Sequence, residues 1–307
     1  MRVRLLGAAA GGAFPQWNCN CANCRLARTN PARARPRTQS SIAVSGNGQH
    51  WFLINASPDV RTQIESFPPL SLPPAPGSIR GSAMSGILIT NADLDHTLGL
   101  FVLREGRRLV VHAKAQVRRA LSEHLHLASV LASYCGIEWR EPPGDLLPLL
   151  SAEGAPTGLL YAAFVVPGKP PRYASAVAAS SGDAVGYRFV DERTGGRLVV
   201  IPDTAGVDAQ VEAQMRDADV LFFDGTFFDE HEMRITGAGA ALASEMGHIP
   251  ISGPDGSLRH LAALPSVRRV YVHINNTNPI LVEDSPERAA VEAAGIVIGY
   301  DGMELEV

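Results

Sequence analysis

The chain predicts a layered α/β protein, and three observations carry that expectation. Short β-rich runs alternate with amphipathic helical patterns, most runs end in a polar or glycine-rich loop, and 46% hydrophobic content over 307 residues can bury a large core as one domain or two.

The opening Met1 to Gly7, followed by Ala8 to Ala13, faintly imitates a signal peptide, with basic residues before an apolar stretch. Gly7, Gly11 and Gly12 break that stretch, so a first strand turning into a glycine-rich loop is the better reading. Further strands are expected at Ser41 to Ser45, Trp51 to Asn55, Gly86 to Thr90, Arg108 to His112, Tyr187 to Val190, Leu198 to Ile201, Val220 to Asp224, Arg269 to Ile274 and Gly295 to Ile298. Helices are expected at Ala115 to Tyr134, Ala209 to Ala218 and Ser285 to Ala294, where Pro286 suits a first helical turn. The proline-rich stretches Pro68 to Gly77 and Pro167 to Pro171 read as surface loops between strands of one sheet.

A formal charge of -4 argues against a nucleic-acid footprint, so a small molecule is the expected partner. No segment has the length and apolar purity of a membrane span. Thiols that need to stay reduced, without a disulfide framework, suit the cytoplasm.

Three of the four cysteines, Cys19, Cys21 and Cys24, fall within six residues. Disulfides inside C-x-C-x-x-C would close loops too short for unstrained geometry, whereas soft thiolates on a turn converge readily on a tetrahedral ion such as zinc. The competing reading is a set of small buried thiols. A fourth ligand must come from elsewhere, and Cys135, in a helical stretch with no second cysteine nearby, ranks below a His or Asn.

The second chemical cluster, Thr90-Asn91-Ala92-Asp93-Leu94-Asp95-His96-Thr97-Leu98-Gly99, follows an apolar strand directly. Acidic residues at a helix start also cap it and favour its dipole, so D-x-D-H alone says little. In position, however, the run resembles the metallo-β-lactamase superfamily, whose H-x-H-x-D-H signature occupies a strand end and leads into a helix entered through a glycine. Asp95 and His96 match its last two positions, while Asn91 and Asp93 replace its first two histidines. Later stations resemble the superfamily in order: Asp203 after Val199 to Pro202 takes the slot of the metal-bridging aspartate, Ala218 to Phe227 resembles the threonine-bearing turn, and His273 resembles the final histidine ligand. The middle histidine expected after Phe164 to Val166 is missing, with Pro167, Gly168 and Lys169 in its place.

The resemblance implies an αββα four-layer sandwich, two mixed sheets flanked by helices, as a single domain over 1–307. It also implies one dependable metal position, because one metal's ligands are lost while Asp95, His96, Asp203 and His273 remain. Two imidazoles and carboxylates with open positions approximate the facial set of mononuclear non-heme iron enzymes, although zinc or manganese also fits. Asp93 would add a ligand or orient one. His248, in Met246 to Pro250, resembles a loop histidine that assists catalysis in relatives that process RNA; loop capping explains it about equally well. His112 reads as structural, His50, His124, His126, His231 and His260 as surface or loop residues. Arg37 to Ser41 could meet a substrate acid or serve an ordinary turn. Relatives with a similar cysteine turn supply a histidine three residues past the late metal histidine; Asn276 stands there, which leaves Asn276, His248 or a water as fourth ligand.

Three longer runs, Gly11 to Cys21, Asp93 to Leu100 and His273 to Leu281, resemble the pyrroloquinoline-quinone (PQQ) biosynthesis B proteins across the whole chain. That resemblance implies a cytoplasmic protein in the pathway that converts a Glu-Tyr unit into the redox cofactor PQQ. The cysteine turn is expected to hold structural zinc, and the second site ferrous iron or another divalent metal. The partner would be the precursor or PQQ itself, with room for other pathway proteins and for a homodimer. Hydroxylation of the tyrosine ring ranks first as the function, carriage of PQQ or its precursor toward the periplasm second, and metal-dependent hydrolysis third, because hydrolysis would normally use two metals or a well-formed zinc-hydroxide site.

Overall fold

A computed structural model describes residues 1–71, 79–174 and 180–307. The strands in chain order are β1 (Arg2–Gly7), β2 (Ser41–Ser45), β3 (Trp51–Ile54), β4 (Met84–Leu88), β5 (Leu109–His112), β6 (Ile137–Arg140), β7 (Leu147–Leu150), β8 (Pro156–Val165), β9 (Val185–Asp191), β10 (Arg197–Ile201), β11 (Val220–Asp224), β12 (Arg268–Val272), β13 (Val297–Ile298) and β14 (Glu304–Glu306). They form two sheets, ordered β14-β1-β2-β3-β4-β5-β6 and β13-β12-β11-β10-β9-β8-β7. Each is mixed: β3 to β6 run parallel in the first and β10 to β13 in the second, while the remaining pairs are antiparallel.

Both faces of the central strands are buried, which explains why they read as unbroken apolar runs. Along β10 and β11, Leu198, Val200, Val220 and Phe222 enter the cluster between the sheets with Phe52, Ile54 and Tyr187. Their neighbours Val199, Ile201, Leu221 and Phe223 face the other way, onto Val211, Met215, Leu261 and Val291 of the covering helices. The first sheet repeats the arrangement, with Leu53, Ile87 and Val111 under Val60, Leu100, Val117 and Leu121. Layers of helix, sheet, sheet and helix result, the αββα sandwich expected. Fully burying a side chain the size of Phe222 contributes roughly 2–3 kcal/mol.

Several expectations need correction. The helix expected over Ala115 to Tyr134 is broken into Ala115–Arg119, a π-helical turn at Ala120–His124, and Leu127–Leu131. His126, at φ 55°, interrupts it. Buried Leu121 and Leu127 are six residues apart, on different faces of a continuous 3.6-residue helix, so the break brings both to the core. The loop expected at Pro68 to Gly77 begins as a helical turn, Pro68–Ser71, with proline in its tolerated first position; 72–77 lie outside the described residues. Strand β4 ends at Leu88 rather than Thr90, and β12 ends at Val272 because His273, at φ 56°, turns the chain out of the sheet. Strands β6, β7, β8 and β14 went unread in the sequence.

Candidate metal centres

The glycine-rich loop after β1 is tied to the late strand by Ala10 N–H donating to Ile274 O at 3.0 Å, and it leads to the cysteine turn. Cys21 caps the helix Ala22–Thr29, and Cys24 is buried on its first turn. The sulfurs of Cys19, Cys21 and Cys24 lie within 4.8 Å of one another. Asn276, 252 residues beyond Cys24, places its amide nitrogen 3.1 Å from Cys19 Sγ, 3.4 Å from Cys24 Sγ and 3.7 Å from Cys21 Sγ. Asn23 fixes the Asn276 backbone by donating to its carbonyl at 3.2 Å. Burial pushes the Cys24 thiol up to about 12, whereas the Cys19 thiol lies below its usual value because hydrogen bonds from the Cys21 backbone, Cys21, Cys24 and Asn276 outweigh its burial. Three soft sulfurs crowded around one amide suit a tetrahedral ion, and a half-turn of that amide presents its oxygen instead. Cys135 packs under the first sheet's helices, and His248 belongs to the other site, so neither completes this one.

The second site forms where the carboxyl ends of β10, β11 and β12 meet the end of β4, the usual place for ligands in sheets of this kind. The segment after β4 brings Asp95 and His96 on the short helix Leu94–Thr97; Asp203 follows β10, Asp224 ends β11 and His273 follows β12. His273 Nε2 stands 3.0 Å from Asp95 Oδ2 and its Nδ1 3.2 Å from Asp203 Oδ1. His96 Nε2 stands 3.4 Å from Asp203 Oδ2 and 3.9 Å from Asp95 Oδ2. Ligands about 2.1 Å from one ion are separated by about 3.0–3.4 Å in octahedral or tetrahedral geometry. The His273 Nε2–Asp95 and His96–Asp203 spacings fall in that range, while Asp203 meets His273 through the other ring nitrogen, so the ligand atoms form two overlapping groups that share His273: Asp95, His96 and His273, and Asp203, His248 and His273. Among the described residues, His96 Nε2 and Asp203 Oδ1 are buried without a hydrogen-bond partner, an arrangement that costs free energy unless something binds them.

Neighbouring groups hold these side chains in place. The Thr90 hydroxyl lies 3.2 Å from His96 Nδ1 and is itself bonded to Asn55, which sits at φ 63°. The Thr226 hydroxyl lies 2.8 Å from His273 Nδ1 and 2.6 Å from Asp224 Oδ1. Asn91, on the first signature position, donates its amide to Asp203 Oδ2 at 2.6 Å. His248 Nδ1 meets Asp224 Oδ2 at 2.8 Å, and its ring stacks on His273 with centroids 5.4 Å apart. Asp224 is fully buried, accepting also from the backbone of Thr204 and Thr226.

The electrostatics are those of a cation site. Burial alone would raise the Asp95 and Asp203 carboxyls, but the histidines beside them hold both below the usual range, Asp95 far below it. Burial would lower His273, yet Asp203 and Asp95 raise it to about 10; against the same burial, Asp224 and Asp203 raise His248. Burial dominates at His96 and lowers it.

Asp93 stands apart from the ligand groupings. It caps the Asp95–His96 helix without a side-chain bond, and burial together with Asp95 and Asp203 raises its carboxyl to about 7. Arg37 is buried and donates to the carbonyls of Gly299 and Arg35, so it serves the turn rather than a substrate acid. His112 is buried against the Tyr161 hydroxyl at 2.9 Å. In the sequence Asn55 carries no functional signal, and Thr90, Asp224 and Thr226 stand only within longer runs; their one mark is that each is a polar residue closing an apolar strand or its turn.

Residues 50–274 match the beta-lactamase superfamily domain. Coenzyme PQQ synthesis protein B of Ectopseudomonas mendocina is 44% identical over 306 residues, covering 99% of each chain. The protein of the same name from Methylococcus capsulatus is 43% identical over 311 residues, with the same coverage. Among solved structures, Zn(2+)-bound PqqB from Methylobacterium extorquens aligns over 100% of both chains with a TM-score of 0.89 and 40% identity. A diphosphatase of the PhnP family, at 20% identity and a TM-score of 0.67 over 100% of this chain and 98% of its own, shares the fold.

Proposed function

This chain belongs to the coenzyme PQQ synthesis protein B family of the β-lactamase superfamily, and from that premise we propose that it is an iron-dependent hydroxylase of the tyrosine ring in a Glu-Tyr-derived PQQ precursor. The observation that carries the reading is the group Asp95, His96 and His273 with Asp203 3.4 Å from His96, two of whose buried ligand atoms have no hydrogen-bond partner among the described residues. Two imidazoles with one or two carboxylates approximate the facial set of non-heme ferrous iron, which leaves coordination positions open. Bound there, ferrous iron would supply the activation of oxygen.

The chain's own residues do the rest. Thr90 and Thr226 fix the two imidazole rings, and Asn91 occupies one lone pair of Asp203, limiting how that carboxylate can turn. His248, held by Asp224 through Nδ1, is left with Nε2 to accept the proton released from the ring. Each oxygen atom inserted from O2 consumes two electrons and leaves the second atom as water, so an external two-electron reductant, or a substrate already at the catechol level, completes the balance. Zinc at Cys19, Cys21 and Cys24, with Asn276 as fourth ligand, would be structural. Reduced thiols suit the cytoplasm, and among the described residues no helix is long and apolar enough to cross a membrane.

Iron-loaded protein given oxygen, ascorbate and the precursor is expected to add oxygen atoms to the aromatic ring, read by mass spectrometry. Asp95→Ala and His96→Ala are expected to abolish the gain. Persistent activity in both would overturn the assignment.

A further inference from the structure

The loop after β8 carries Lys169 exposed on its turn, yet its stem is closely held. A Cβ on Gly247 would fall 3.1 Å from Lys169 Cε and 3.5 Å from its Cδ and Cγ, so the stem lies flat on the residue immediately before His248. Gly247, at φ 92°, is in the left-handed region that glycine enters freely, and its missing side chain makes that approach possible. The ammonium donates to the Glu245 carbonyl, near the end of the helix Ala243–Met246. It makes no ion pair within 4 Å among the described residues, so two of its three donors remain for another acceptor. The same loop is tied to the second site at two points: Pro167 O accepts from Ala205 N–H at 2.8 Å, two residues past Asp203, and the Tyr173 hydroxyl donates to Ala92 O at 2.6 Å, next to Asp93. Arg172 adds a second exposed cation on it.

Lys169 thus lies against the His248 loop, on a connection that is itself bonded beside Asp93 and Asp203, at one rim of the second site. Asp95 and Asp203 are paired with the histidines of the ligand groups, but Asp93 lies outside those groups, and a substrate carrying carboxylates that approaches it is better received beside a fixed positive charge. We propose that Lys169, with Arg172 beside it, forms a carboxylate-binding subsite that seats the acidic end of the substrate while its ring lies toward His248 and Asp95. This rests on the reading of the second site given above and adds the residue that selects acidic substrates.

The test uses zinc-loaded, redox-silent protein, so binding is read without turnover. Titration calorimetry with L-Glu-L-Tyr and with the carboxylate-free Gln-Tyr amide is expected to show tighter binding of the acid, weakened by added salt, while the amide is insensitive to salt. Lys169→Gln is expected to weaken Glu-Tyr binding about tenfold and leave the amide unchanged, with Lys169→Arg restoring most of the loss. Unchanged zinc content and melting temperature separate this from a loosened His248 loop. Equal affinity of the wild type for acid and amide, or of Lys169→Gln and wild type for the acid, overturns the subsite. If the subsite behaves as expected but iron-loaded protein inserts no oxygen, the hydroxylase reading falls and the subsite stands.

Discussion

Gly99→Ala probes how the fold holds the second site. Gly99 opens the helix Gly99–Val102 directly behind Asp95 and His96, and its N–H donates to Ala56 O at 2.9 Å. A Cβ there would lie 2.3 Å from Ser57 O, 2.6 Å from Ala56 O and 2.7 Å from Ala56 C, all backbone, so neither side can yield by rotating a side chain. Relieving the overlap requires a shift of nearly 1 Å, costing roughly 1–3 kcal/mol as overpacking. The displaced Gly99–Ala56 hydrogen bond adds about 1 kcal/mol, giving about 2–4 kcal/mol in all. Ala56 N–H also donates to His96 O at 2.8 Å, and neighbouring Asn55 holds Thr90, so the strain reaches the metal ligand. Urea unfolding followed by circular dichroism is expected to show a midpoint lower by roughly 1 M, taking a slope of about 3 kcal/mol/M. The second-site metal should be retained less well. An unchanged midpoint with full metal content would refute the reasoning that this glycine is required by close backbone approach.

Serine at Cys19, Cys21 or Cys24 is expected to release about one equivalent of zinc and weaken folding, because metal binding free energy feeds into stability; zinc content unchanged in all three variants would remove the site. His96→Ala and His273→Ala should lose the second metal and keep the cysteine-bound zinc, measured by plasma emission; matched loss of both metals would mean the sites are one. His112, lowered by burial from 6.5 to about 4, takes up its proton in the unfolded chain first, so its contribution is present above about pH 6.5 and lost as pH falls toward 4. That amounts to roughly 3 kcal/mol, and His112→Gln should flatten the acid limb of stability against pH; an equally steep limb would contradict it.

The parts of the protein readable in its sequence are those whose chemistry is local. Cys19, Cys21 and Cys24 are neighbours in the chain and need only a turn to converge, while β10 and β11 announce themselves because both their faces are buried. The superfamily resemblance, rather than spacing, linked Asp95 and His96 to Asp203 and His273. Strand β7 contains Pro148 and exposes Leu147 and Leu150, and β8 carries Gly158 at φ 78°, so neither presents a clean alternation. The break at His126 follows from which leucines must reach the core, a tertiary demand that helical periodicity does not contain. Contacts such as Asn91 to Asp203, 112 residues apart, exist only once the two sheets have met.

The central claim is that this fold, on a single iron at Asp95, His96, Asp203 and His273, oxygenates a Glu-Tyr-derived ring. Its most direct test is one experiment with anaerobically purified, iron-loaded protein, given the precursor, ascorbate and isotopically labelled oxygen gas, the product being weighed by mass spectrometry. The account predicts ring-localised mass gains carrying the label, or label from water where a quinone intermediate exchanges, and their loss in His273→Ala. Tight binding of the finished quinone with the precursor unaltered, together with ligand variants that still support PQQ production in cells, would contradict it and leave carriage as the function.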